Sequence, residues 1–166
     1  MEKMKVLVHE WSYPVCSQPF HLKFNIEAAL NEVCIRSMGN NYKKVQFIGI
    51  GTSGALLLGA LAGRITWENY FDFILLRKPE DTTSQGKSDS YTTLNKNYPI
   101  IIIDDHICEG DTIREVSDQL QAQDCLDNVI GVIARTWMES NPEYSKLSQH
   151  EKLLPELFPK IKFWLY

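Results

Sequence analysis

Apolar residues dominate short runs at 45–50, 71–76, 99–103 and 129–134. Runs of this length without polar alternation predict β-strands covered on both faces. A shorter run at 5–9 predicts a first strand, and 161–166 is strand-like. Between them the period changes. Residues 24–38 place apolar side chains at 26, 29, 30, 33 and 34, a helical spacing closed by Gly39-Asn40-Asn41. Residues 54–64 are apolar almost all round and predict a buried helix, with Ser53 placed to cap it. Residues 112–121 predict a further helix. The segment from 12 to 20, with two prolines, reads as loop. Residues 137–160 carry Pro142, Pro155 and Pro159 and read as irregular or short-helical. Strands alternating with helices predict an α/β domain with a mostly parallel sheet.

The chain has 166 residues, 44% of them hydrophobic, which suits one domain with one core. The core is expected over about 24–135. Its net charge of −4, with no block of Lys or Arg, does not suggest a nucleic-acid partner. No apolar run approaches the length of a membrane span, and the N-terminus lacks a signal-peptide core, so the cytosol is the expected location. The cysteines at 16, 34, 108 and 125 form no Cys-x-x-Cys pair and have no His at zinc-finger spacing. Free thiols in a reducing compartment are expected.

Parallel α/β sheets bind ligands at the carboxyl ends of their strands. Three stretches occupy such ends. The first is Asp104-Asp105-His106-Ile107-Cys108-Glu109-Gly110-Asp111-Thr112, directly after the 99–103 run. Two carboxylates there suit sugar hydroxyls or a hydrated Mg²⁺, and backbone N–H groups at the following helix start suit an anion. A strand–turn–helix whose acids only cap the helix would read the same by composition. The second stretch is Gly49-Ile50-Gly51-Thr52-Ser53-Gly54, a glycine-rich turn with two hydroxyls. It lacks the Gly-Lys-Ser/Thr ending of a P-loop. Its Gly-x-Gly-x-x-Gly spacing admits a dinucleotide-binding enzyme, but Arg77, and no acid, ends the next strand. The third runs from Arg77-Lys78 through Ser90-Tyr91 to Tyr98. It is polar and about twenty residues long, a length usually functional or disordered inside a compact domain.

Together these stretches resemble the type I phosphoribosyltransferase family over roughly residues 44–135. The strand, paired acids, loop and helix at 99–121 look like that family's phosphoribosyl pyrophosphate (PRPP) motif. The resemblance implies a single α/β domain plus a small hood built from residues 1–23 and 136–166. It implies transfer of ribose 5-phosphate between PRPP and a nitrogenous base, in purine or pyrimidine salvage. Asp104 and Asp105 would hold the ribose hydroxyls and, directly or through water, Mg²⁺. Cys108, Glu109, Gly110, Asp111 and Thr112 would wrap the 5′-phosphate. Gly51, Thr52, Ser53 and Gly54, with Arg77 and Lys78 of a closing loop, would hold pyrophosphate. Arg135 would read the base, and the aromatics Trp11, Trp137, Phe163 and Trp164 would pack in the hood or stack on the base. A nucleobase or nucleoside monophosphate is the implied partner ligand, and a homodimer the implied assembly.

The loop departs from the family's Thr-Gly-x-Thr. Glu109 stands where a hydroxyl usually faces phosphate. At about 5 Å and an effective dielectric of about 20, a carboxylate beside a phosphate costs roughly 3 kcal/mol per pair of unit charges. Cys108 stands where the hypoxanthine–guanine branch has an acid, which argues against that substrate. A non-catalytic regulator that keeps the fold and senses PRPP or nucleotides is therefore the alternative. His106 lies inside the motif, whereas His9, His21 and His150 have no partner visible in the sequence.

Overall fold

The computed structural model of the chain describes residues 5–7, 44–62, 71–76, 94–136 and 147–165. The helix expected at 24–38 lies outside them. Six strands form among the described residues: β1 (Lys5–Leu7), β2 (Val45–Ile50), β3 (Phe71–Leu76), β4 (Ile100–Ile107), β5 (Val129–Thr136) and β6 (Phe163–Leu165). They make one sheet in the order β1-β6-β5-β4-β2-β3, and every pairing is parallel. The helices are α1 (Gly51–Ala62), α2 (Asp111–Ala122) and α3 (Leu147–Leu157). α1 links β2 towards β3, α2 links β4 to β5, and α3 lies between β5 and β6. A parallel pair needs such a crossover, and the helices cover the sheet's faces.

The apolar runs sort by strand alternation. On β4, Ile100 and Ile102 enter one core cluster, while Ile101 and Ile103 enter the other. All four are fully buried. The first cluster adds Ile48, Ile50, Ile74 and Leu76 to Ile113, Val116 and Leu120 of α2. The second joins Phe47, Phe71 and Ile133 to Leu58 and Leu61 of α1. α2 is amphipathic, its buried residues at 113, 116, 117 and 120 forming one stripe. At its end, Asp124 turns left-handed (φ 53°). The N–H of Cys125 then closes on the carbonyl of Leu120 at 2.9 Å.

The C-terminal segment was expected as irregular or short-helical to 160, strand-like over 161–166, and part of a hood; β6 falls within the strand-like stretch. Within residues 147–165 it is integral to the core. α3 turns Leu153 and Leu154 inward, Phe158 follows them, and Trp164 of β6 is fully buried between β1 and β5. Trp164 donates its indole N–H to the carbonyl of Ala134 at 3.3 Å. It is a packing residue and not a surface for stacking on a base. Pro155 sits in the last turn of α3, on the exposed side.

The entry to β4 is fixed from β2. Gln46 is buried, and its side-chain amide donates to the carbonyl of Asn95 at 2.9 Å while accepting the N–H of Asn95 at 2.7 Å. A buried amide satisfied on both sides locks the chain where it re-enters the sheet.

Candidate functional site

β4 does not stop at Ile103, as the sequence suggested. It runs on to Ile107 and carries both acids within the strand. Ile103 pairs with Ile133, but the next pairing is His106 with Arg135. Three steps along β4 therefore match two along β5, which is the arithmetic of a β-bulge at Asp104-Asp105. The bulge separates the two acids. Asp104 is buried, 8% exposed, and its carboxylate accepts the N–H of Asp105 at 2.9 Å. Asp105 is exposed.

After Ile107 the chain bends through 108–110 and enters α2. Gly110 adopts φ 88°, a left-handed conformation that glycine takes at no steric cost. Its carbonyl accepts the first helical bond, from the N–H of Arg114 at 3.0 Å. Among the described residues no side chain caps this helix start. The leading N–H groups of α2 thus lack intrahelical acceptors and carry the positive end of the helix dipole. A pocket of about 260 Å³ lies there, lined by Asp104 and residues 106–113. An anionic group has backbone donors at one side of this pocket, and hydroxyl donors have the Asp104 carboxylate at the other.

The expected phosphate loop is therefore one piece of geometry. Cys108, Glu109, Gly110, Asp111 and Thr112 all line the pocket together with Asp104. Asp105 is not among the lining residues. Glu109 and Asp111 are both exposed, so water screens much of their charge. The thiol of Cys108 lies 3.9 Å from Glu109 Oε1. His106, half-buried, also lines the pocket. A second thiol contrasts with Cys108: Cys125 is buried behind α2, and desolvation there pushes its pKa up.

The glycine-rich turn lies beside this pocket, because Gly49 of β2 pairs with Ile103 of β4. Gly51 is left-handed, φ 59°, and starts α1 directly. Gly54 has a packing role. A Cβ on it would meet the backbone carbon of Gly49 at 2.5 Å, and one on Gly49 would meet the carbonyl oxygen of Gly54 at 2.6 Å. The two glycines let helix and strand backbones touch. Gly54 is thus required for packing. Ser53 lies half-buried within the first turn of α1, so it does not cap the helix as expected, while nothing is described of the Thr52 side chain. Arg77, Lys78, Trp11, Trp137, His9 and His21 lie outside the described residues. Arg135 sits on β5 beside His106, at the level of the pocket, with its side chain not described. Phe163 lies on β6, likewise.

Two residues at the loop had no signal in the sequence reading. Arg114 reaches back from α2, with Nη1 3.4 Å from the Glu109 carbonyl. His150 of α3 places Nε2 3.0 Å from the carbonyl of Cys108. Arg114 follows Gly110 by one helical turn, a spacing that could have found it. His150 is 42 residues from its partner, and no local pattern could.

No family model and no curated protein matches this sequence. Solved structures do resemble it. The APRTase of Giardia lamblia, in complex with 9-deazaadenine, is 13% identical and overlays with a TM-score of 0.54 across 91% of this chain and 81% of that one. The orotate phosphoribosyltransferase of Francisella tularensis is 15% identical, also at 0.54, across 90% of this chain and 66% of that one. A hypoxanthine phosphoribosyltransferase of Staphylococcus aureus is 19% identical, at 0.42, across 69% of this chain. The chain spans 62% of that enzyme's length. At such identities the first two overlays establish a shared fold: this chain has the α/β fold of the type I phosphoribosyltransferases. Among the described residues, no helix is long and apolar enough to cross a membrane.

Proposed function

We propose that this chain is a phosphoribosyltransferase, moving ribose 5-phosphate between PRPP and a nitrogenous base. One observation carries the reading. In this fold, at the carboxyl ends of parallel strands, a buried carboxylate and an uncapped helix start line the same pocket. Those two features match the two ends of a ribose phosphate. In the proposed reaction the C1–O bond to pyrophosphate breaks and a C1–N bond to the base forms. The pyrophosphate leaves with the bonding electrons, and positive charge grows at C1 between the two events.

Each residue then has a task. Asp104 accepts from the ribose hydroxyls and stands near the growing charge, with exposed Asp105 beside it. Residues 108–112 anchor the 5′-phosphate, so binding energy far from C1 orients the reacting bond. The turn at Gly51–Ser53 faces the leaving pyrophosphate, helped by Arg77 and Lys78, and Arg135 reads the base. Asp104 and Asp105 offer hard oxygen donors, a set that fits Mg²⁺ held by one or two carboxylates and substrate oxygens. Bound there, Mg²⁺ would neutralise charge on the leaving pyrophosphate. A cytosolic homodimer serving purine or pyrimidine salvage completes the proposal.

Glu109 and Asp111 favour a second reading, a PRPP-sensing regulator, because both line the pocket. One experiment separates the two. The protein is given Mg²⁺, PRPP and a panel of purine, pyrimidine and nicotinate-type bases, and pyrophosphate is followed. Release with any base supports the transferase. PRPP binding without release supports the regulator, and no binding rejects both. Under either reading Glu109→Thr removes an exposed like charge and restores a hydroxyl. The expected outcome is PRPP binding about two- to fivefold tighter by calorimetry, the range an exposed charge pair allows. Weaker binding would mean that Glu109 helps to hold the ligand.

A further inference from the structure

We infer that His150 is a positioning residue for the anion loop, setting the direction of the Glu109 amide from behind. This rests on the reading of 108–112 as a phosphate site. His150 is 2% exposed and sits on α3, far in sequence from the loop. Its Nε2 lies 3.0 Å from the carbonyl oxygen of Cys108. A carbonyl only accepts, so Nε2 carries the proton and donates. The ring's plane is held in turn. Trp164 packs edge-on to it, centroids 5.6 Å apart at 72°, and is itself bonded to the carbonyl of Ala134 on β5.

The consequence follows from peptide geometry. In a planar trans peptide the C=O of one residue and the N–H of the next point in opposite directions. With the Cys108 carbonyl drawn back to α3, the Glu109 N–H is turned away from α3, towards the side where the ligand would lie. One turn along α3, Leu153 backs the same loop: a Cβ on Gly110 would meet Leu153 Cδ2 at 2.6 Å. Residues three apart share a helix face, so α3 presses one face against the loop at two points. The C-terminal segment thus connects the sheet, through Trp164 and His150, to a backbone donor of the proposed phosphate site.

Two variants separate positioning from packing. His150→Phe keeps an aromatic ring against Trp164 but has no donor. His150→Gln loses the ring but keeps a donor of similar reach. Affinity for ribose 5-phosphate is measured by calorimetry on the full chain, with the thermal midpoint recorded alongside. The expected result is a crossed order. Phe binds about tenfold more weakly than wild type, the scale of one lost hydrogen bond, at a midpoint close to wild type. Gln binds within about threefold of wild type in spite of a lower midpoint. Wild-type affinity in His150→Phe, or affinities that follow the midpoints with Gln below Phe, would overturn the inference. A wild-type protein that does not bind ribose 5-phosphate overturns the phosphate-site reading itself, and the inference with it.

Discussion

Asp104→Asn is expected to lower kcat/KM for pyrophosphate release about a hundredfold, with little loss of stability. Asparagine keeps the volume, and its carbonyl oxygen can still accept the N–H of Asp105, now 2.9 Å from the carboxylate. What it loses is charge and acceptor capacity. An amide nitrogen presented to a ribose hydroxyl gives a weaker and less selective contact than an ionised oxygen. A negative charge near C1 is also lost just as positive charge develops there. Burial sharpens both effects, because Asp104 is only 8% exposed and little water screens it. Asp105 is exposed and absent from the pocket lining. Asp105→Asn is accordingly expected to cost about tenfold or less. Steady-state kinetics on both variants, with thermal midpoints within a few degrees of wild type, checks the pair. Equal losses would place the two acids at the ligand together, against the separation that the bulge produces.

Gly54→Ala is expected to destabilise the fold by about 3 kcal/mol, the upper part of the usual range for overpacking. The new methyl would meet backbone of β2 at 2.5 Å, and backbone cannot rotate away as a side chain can. α1 would have to lift from the sheet, opening the second core cluster around Leu58 and Leu61. For a chain of this size the midpoint should fall by about 6–12 °C. Gly59→Ala, in the same helix, is the control. Nothing lies within 4 Å of its Cβ position. That change should stabilise by about 0.5–1 kcal/mol, since alanine has less backbone freedom to lose in a helix interior. Chemical unfolding of the two variants should give shifts of opposite sign. A neutral Gly54→Ala would contradict the close approach of helix and strand.

The centre of the fold was legible because its apolar runs are nearly continuous. Residues 45–50 and 71–76 are strands at the expected bounds, and Ile100–Ile103 alternates between two cores as a doubly covered strand must. The grouping of residues 108–112 around one pocket was legible because they are adjacent in sequence. β4 was read too short for a physical reason. Acids normally end a buried strand, but a bulge lets Asp104-Asp105 continue it by putting two residues opposite one. α3 was left between irregular and short-helical although 150, 153, 154, 157 and 158 follow a helical period, since Pro155 within that run signals a break. It falls in the last turn and faces out, where its ring is tolerated. The packing role of Gly54 was hidden because a glycine that admits a ligand and one that admits its own backbone look alike in sequence. The His150 contact depends on long-range packing, which no local pattern encodes.

These points bear on the same pocket. The sheet brings Asp104 and the start of α2 together, and α3 backs the loop between them. The most direct test is a crystal structure with ribose 5-phosphate bound. The account predicts the phosphate within about 3 Å of backbone N–H groups of residues 109–112, with ribose hydroxyls on Asp104 and the Glu109 side chain turned to solvent. A phosphate seated elsewhere, with the start of α2 untouched, would contradict it.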